Sequence, residues 1–308
     1  GIFMIVAPET FLGVYIYMSF LSTVTPPLIL GLGLTFVIAS GEIDLSFPAV
    51  VAFSGFVFSY LYKFHDLTVM AVIAALISGI IIGWVNGMII TRIGMPSIIA
   101  TLSTGFFWAG MTVVASKGLS YDLSSMDSTP LYNFFVYRIG GLFPIQFFWG
   151  LIISIILWFI LNRHVFGEHV LFMGDSVEVS KVVGINVGYE KVKLFMLMGG
   201  LGAFAGILLC IENTSFWSTQ GQGFLLVVMA SVFIGGTSIF GGQGTIIGTY
   251  FGSFIVGSVE AGIVATGMQG FYTRVVVGLV LLIAISFHIF MEKPNKQAIL
   301  AKFNLVRK

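Results

Sequence analysis

Residues 68–91 read Thr68-Val-Met-Ala-Val-Ile-Ala-Ala-Leu-Ile-Ser-Gly-Ile-Ile-Ile-Gly-Trp-Val-Asn-Gly-Met-Ile-Ile-Thr91, without one Asp, Glu, Lys or Arg. As an α-helix this run is about 36 Å long, and the hydrocarbon core of a bilayer is roughly 30 Å thick. Glycine recurs on it once per turn, at Gly79, Gly83 and Gly87. A glycine face lets helix backbones approach closely in lipid, where van der Waals packing replaces the hydrophobic drive. The stretch therefore reads as a membrane helix packed inside a bundle.

Working outward, apolar length bounded by charges and turn residues marks further spans. With the first they fall near 14–40, 46–62, 68–91, 97–117, 144–163, 190–212, 222–237, 244–265 and 272–290. Gly244, Gly248 and Gly252 repeat the glycine stripe on another span. The expected fold is all-α: a polytopic transmembrane bundle with nine full spans. The longest polar stretches, 118–143 and 163–193, are too short for a separate soluble domain, so residues 1–308 read as one transmembrane domain. The chain opens on Gly1 and an apolar stub, Ile2 to Ala7, too short to span and without the basic start of a signal peptide. The expectation is a truncated first helix.

Composition agrees. Hydrophobic residues make up 57% and charged residues 9%, where soluble domains carry roughly 25% charged. Lipid is the solvent that tolerates such a surface. A net charge of +1 gives no argument for nucleic acid. The lone Cys210 rules out an internal disulfide and a cysteine metal cluster, and reads as a small packing residue. His65, His164, His169 and His288 show no metal-site spacing.

Lys and Arg favour cytoplasmic loops. If 163–193 and the tail after 290 lie inside, that side carries Arg92, Arg163, Lys181, Lys191, Lys193, Lys293, Lys296, Lys302, Arg307 and Lys308. The other side carries Lys63, Lys117 and Arg138. Ten against three puts the C-terminus inside. A short echo links Gly83 to Asn86 and Gly94-Met95 with Gly257 to Glu260 and Gly267-Met268, on helices of opposite direction. That is the mark of an inverted repeat, a common transporter plan.

Four segments can carry chemistry. In 174–185, Asp175 and Glu178 form a capping-box-like pair and Gly184 can close the helix. The result is a two-turn helix, too short to stand alone. It either packs on its own bundle or docks into a cytoplasmic partner. In Gly41-Glu42-Ile-Asp44-Leu-Ser46, two carboxylates adjoin a span, and Ser46 with Pro48 resembles a helix start. Capping with interfacial solvation is one reading, a gate or partner contact the other. The Gly-rich 235–244 lacks the Lys and Ser/Thr of a phosphate loop and reads as a tight membrane-embedded turn. Pro26-Pro27 kinks or breaks the first span, harmlessly or beside a cavity.

Polar groups within spans are Asn86, Gln222, Glu260 and Arg274. Glu260 and Arg274 can form a structural pair, or sit at a pore mouth. Phe106, Phe107 and Trp108 can stack on the apolar face of a sugar ring, or pack against lipid and core. Asn86, Phe106, Phe107, Trp108, Gln222 and Glu260 are the candidate pathway residues. Pro26, Pro27, Glu42, Asp44 and Ser46 are the candidate gate or structural motif.

The stretch Gly33-Leu-Thr-Phe-Val-Ile-Ala-Ser-Gly-Glu-Ile-Asp-Leu-Ser46 resembles the signature G-x-T-x-V-I-x-x-G-G-I-D-L-S of sugar-type ABC importer permeases, which include the ribose, xylose and galactose permeases and their autoinducer-2 relatives. It departs at Glu42, where the family has Gly. Pro96 to Leu102, Gly174 to Ile185, Gly221-Gln-Gly223 and Gly235 to Gly244 resemble four further family motifs in order and spacing. The resemblance implies a ten-helix, non-catalytic permease of the bacterial inner membrane with both ends cytoplasmic. It implies a second permease copy or a paralogue, an extracytoplasmic binding protein, and a cytoplasmic ATPase that holds ATP and Mg, this chain holding no cofactor. It implies a coupling helix at about 175–185, with Asp175, Glu178, Val179, Lys181, Val182, Val183 and Gly184 facing the ATPase. The expected cargo is a monosaccharide. Rivals are a nucleoside, a polyol or an autoinducer-2-like signal, or an ion-coupled secondary transporter using Glu260.

Overall fold

In the computed structural model, which describes residues 12–127, 129–265 and 271–292, the first span is bent. Helices α1 (Val14–Thr23) and α2 (Thr25–Ala39) meet at Val24 at 40°. Pro26 and Pro27 fall in the first turn of α2, where a missing N–H costs least. The hydroxyls of Thr23 and Thr25 donate to the carbonyls of Phe20 and Leu21 around the bend. All 15 residues of α2 are buried, so this apolar helix is the central pillar of the bundle.

Three helices follow: α3 (Phe47–His65), α4 (Thr68–Met88) continued by a π-helical turn (Ile89–Ile93), and α5 (Ser97–Ser116). A connecting region then carries β1 (Tyr121–Asp122), α6 (Pro130–Val136), β2 (Arg138–Ile139) and β3 (Phe143–Pro144). Next come α7 (Gln146–Arg163), α8 (Val165–Asp175), α9 (Val177–Val182), α10 (Val187–Glu212) and β4 (Ser215–Phe216). Helices α11 (Phe224–Ile234), α12 (Ile246–Ala265) and α13 (Phe271–Glu292) complete the described chain. The strands form two antiparallel pairs, β1 with β4 and β2 with β3.

Both glycine stripes are helix seams. A Cβ on Gly79 or Gly83 would collide with the backbone of Gly199 or Phe195 in α10. One on Gly248 or Gly252 would collide with Gly235 or Ser231 at the end of α11. Cys210 is buried in α10, its Sγ 3.5 Å from Gln220 Oε1.

Among the described residues six helices are long and apolar enough to cross a membrane, and the bent pair α1–α2, counted as one span, makes a seventh. The expected span at 222–237 is only the 11-residue α11, about 16 Å long. It is shortened at both ends, because Gln222 and Gly223 still belong to a turn and Gly235 and Gly236 form the next one. Around 272–290 helix α13 runs Phe271–Glu292, and its apolar stretch is Tyr272–Ser286. Among the described residues the expected nine full-length spans are therefore not confirmed. Residues 2–7, Gly267, Met268 and the basic tail from Lys293 lie outside the described residues.

Candidate functional site

Signature residues converge where α2 ends. Gly41 adopts φ +81° and turns the chain out of the pillar. The extended segment behind it is fastened by hydroxyls of α5. Ser97 Oγ accepts from Ile43 N–H at 3.1 Å, and Thr101 Oγ1 accepts from Leu45 N–H at 3.0 Å. Asp44 is 2% exposed. Its Oδ1 accepts from the Ser46 N–H at 2.7 Å and the Ser46 hydroxyl at 2.6 Å. Asn86 Nδ2 donates to Ser46 Oγ at 2.8 Å, and Thr104 Oγ1 donates to Asn86 Oδ1 at 2.7 Å. The predicted residues Asp44, Ser46 and Asn86 thus belong to one chain of hydrogen bonds that ends on α5. Glu42 is ion-paired with Lys191 of α10.

Glycine brings three segments together beside this loop. Gly242 N–H donates to Ala39 O at 2.9 Å. A Cβ on Gly241 would stand 3.0 Å from the Cα atoms of both Gly41 and Gly174. The Gly-rich 235–244 is thus a backbone junction of α2, α8 and the approach to α12.

From Gly174 the chain runs directly into α9. The cap of α9 is Ser176, not Asp175: Ser176 Oγ accepts from Val179 N–H at 3.3 Å, while Asp175 closes α8. Gly184 ends the turn at φ +90°. Asp175, Glu178, Val179, Lys181, Val182, Val183 and Gly184 are all exposed, with Val182 at 87%. Behind them, Glu190 at the start of α10 pairs with His169 of α8 at 3.0 Å and with Lys193 at 2.6 Å.

The opposite side is closed by the β1–β4 pair, where Lys63 Nζ donates to Asp122 O at 2.9 Å. Hydrogen bonds from the Ser124 hydroxyl and N–H, helped by Lys63, hold the Asp122 carboxyl below the usual carboxylate range. Arg138 binds Glu212 at 2.6 Å, and Gln146 donates to the same carboxylate. After β4, residues 217–223 run as turns beside the first turn of α3. Gln220 is 1% exposed and donates to Val51 O at 3.3 Å, whereas Gln222 is exposed.

Of the remaining candidates, Phe106 and Phe107 are exposed on α5, and Trp108 packs at a tilt on Phe53, with ring centroids 4.7 Å apart. Glu260 is half-buried on α12, and among the described residues it makes no ion pair with Arg274. Sequence reading missed Ser97, Thr101, Thr104 and Lys191. Hydroxyls at 97, 101 and 104 share one helix face, a spacing visible in the sequence.

The family model described as branched-chain amino acid transport system / permease component matches residues 16–285. The chain belongs to that family of membrane permeases. It is similar to the ribose import permease protein RbsC of Bacillus subtilis, 32% identical over 83% of this chain and 79% of the relative. It is 29% identical to the D-allose transport system permease protein AlsC of Escherichia coli, over 95% and 89%. It is 31% identical to the L-arabinose ABC transporter permease protein AraH of Azospirillum brasilense, over 85% and 76%. No solved structure matches the chain. The resemblance to sugar-type importer permeases is thereby borne out.

Proposed function

We propose that this chain is the membrane subunit of an ATP-driven importer and carries a monosaccharide delivered by a binding protein. The observation that carries the mechanism is α9 with its C-cap: three aliphatic side chains, Val179 and Val182 on the six-residue helix and Val183 just after it, stand exposed at one end of the bundle. A helix this short takes its stability from packing, and Ser180 is buried toward its own bundle. The valines are left for a partner, which on this reading is a cytoplasmic ATPase. The ATPase closes on ATP and Mg and pulls on α9. The glycine junction passes that motion to α2, and the Asp44–Ser46–Asn86–Thr104 chain passes it to α5.

On this reading the α9 side is cytoplasmic, in keeping with Arg92, Arg163, Lys181, Lys191 and Lys193. The membrane is a bacterial inner membrane, a second permease copy or paralogue completes the path, and the binding protein meets the β1–β4 side. Nine crossings and an inverted repeat fit if 217–223 and α11 together form one broken span. The two glycine seams support that pairing.

The ribose, allose, fructose and arabinose named for the relatives are the first cargoes to try. The test is co-purification with the ATPase and binding protein encoded beside this gene, then ATPase assays in lipid. Turnover is expected to rise only with sugar-loaded binding protein. A chain that never associates with an ATPase would overturn the reading, and Glu260 would then be the residue to examine for ion coupling.

A further inference from the structure

We propose that residues 217–223 line the water-filled path within the membrane, and that Thr219 and Gln222 there hold the substrate, a neutral polyhydroxyl molecule. The proposal rests on the permease reading above.

Depth comes first. A Cβ on Gly221 would stand 2.8 Å from Val51 Cγ1 and 3.0 Å from Pro48 O, in the first turns of α3. From Val51 to Lys63, α3 rises about 18 Å. Lys63 holds the carbonyl of Asp122 beside the β1–β4 pair, at the aqueous end of the bundle. With Lys63 in water, Gly221 lies near the middle of a hydrocarbon core roughly 30 Å thick. Helix α11 then makes the remaining descent, and its end at Gly235 packs on Gly248 in the first turn of α12.

Non-helical backbone persists at such depth only where protein buries it or water lines it. One side of this segment is buried. Gln220 donates to Val51 O, and its amide lies 3.4 Å from Cys210 Sγ. The other side is open: Thr219, Gln222 and Gly223 are exposed, and a Cβ on Gly223 would meet nothing within 4 Å. Gly221, at φ +84°, turns the chain between these two sides. The buried Gln220 thus anchors a turn that presents an amide and a hydroxyl to open space at membrane depth.

Chemistry narrows the occupant. Residues 213–223 contain no Asp, Glu, Lys or Arg. An amino acid stripped of water needs counter-charges for its carboxylate and ammonium groups. A polyol needs donors and acceptors side by side, which Gln and Thr supply. The segment therefore suits a sugar and not a zwitterion, although the family description names amino acids.

The test uses the importer reconstituted in lipid with its ATPase and binding protein. Gln222→Cys and Thr219→Cys are labelled with a membrane-impermeant maleimide, beside Ile155→Cys on the exposed apolar face of α7 as control. Labelling at 219 and 222 is expected at least tenfold faster than at 155, and the sugar that the wild type carries should slow it. Gln222→Ala and Thr219→Val should each raise the half-saturating sugar concentration about tenfold. Labelling no faster than the control, which lipid or a second copy covering the segment would give, overturns the proposal. So does wild-type half-saturation in both variants. A wild-type complex that takes up no sugar overturns the permease reading itself, whereas a working wild type with an inert 222 overturns this proposal alone.

Discussion

Two segments of this bundle leave the helix where helices would be cheapest, and they solve the cost differently. Residues 41–46 are clamped: N–H groups of Glu42, Ile43, Leu45 and Ser46 find Val37 O, Ser97 Oγ, Thr101 Oγ1 and Asp44 Oδ1. Residues 217–223 are clamped on one side only, through Gln220, and leave Gln222 exposed. A polar segment that is fully satisfied internally has nothing left to offer a passing molecule, but it can transmit force. A segment satisfied on one side alone can offer the other to cargo. The first therefore reads as a strut between the α9 junction and α5, and the second as a lining.

The helices they touch differ in the same sense. Only 17% of the most apolar window of α5 is buried, against 67% for α10. Loosely packed elements move at lower free-energy cost. A strut fastened to α5 thus ends on the least buried of the candidate spans among the described residues, while 217–223 leans on α3 and α10, which are packed to the backbone.

The contrast can be broken by substitution. Asp44→Ala strips the acceptor from both Ser46 donors and should cost about 3 kcal/mol, since each buried donor left without a partner costs ~1–3 kcal/mol. Thermal unfolding of the purified permease would register this as a large fall in Tm. Gly221→Ala forces a Cβ into a left-handed residue and against Val51, for about 1–2 kcal/mol of backbone strain, and the same melting experiment checks it. Thr101→Val removes the acceptor of Leu45 N–H and should cost about 1 kcal/mol. Its sharper readout is sugar moved per ATP hydrolysed, which is expected to fall while ATP turnover persists. Smallest in stability is Val182→Asp on the exposed face of α9, within about 0.5 kcal/mol of wild type. That variant should lose stimulation of the ATPase by loaded binding protein, and wild-type stimulation would remove α9 from the docking role.

Much of this was legible from residue order alone. Apolar runs such as 68–91 have no soluble alternative, and glycines spaced by four mark seams whichever helix they meet. Gly184 closes its turn as its position after a short helical run implies. The misreadings have local causes. Asp175 and Ser176 can both cap a helix, and only the continuation of α8 through Asp175 decides for Ser176. Residues 222–237 are apolar enough to pass for a full span, and hydropathy alone does not register that the Gly-Gln-Gly before Phe224 delays the helix. The continuation of the hydrogen-bond chain beyond Ser46 was hidden for another reason. Asn86 and Thr104 lie 40 and more residues away, and no periodicity links them to a loop.

On the proposed function ATP, and not an ion gradient, drives a neutral sugar through this chain. The direct measurement is uptake of radiolabelled ribose, allose, fructose and arabinose into vesicles holding permease, ATPase and binding protein, with ionophores collapsing the proton and sodium gradients. Uptake of one of these sugars is expected to persist without gradients and to stop without ATP. Uptake that dies with the gradients and ignores ATP would make the chain an ion-coupled transporter instead.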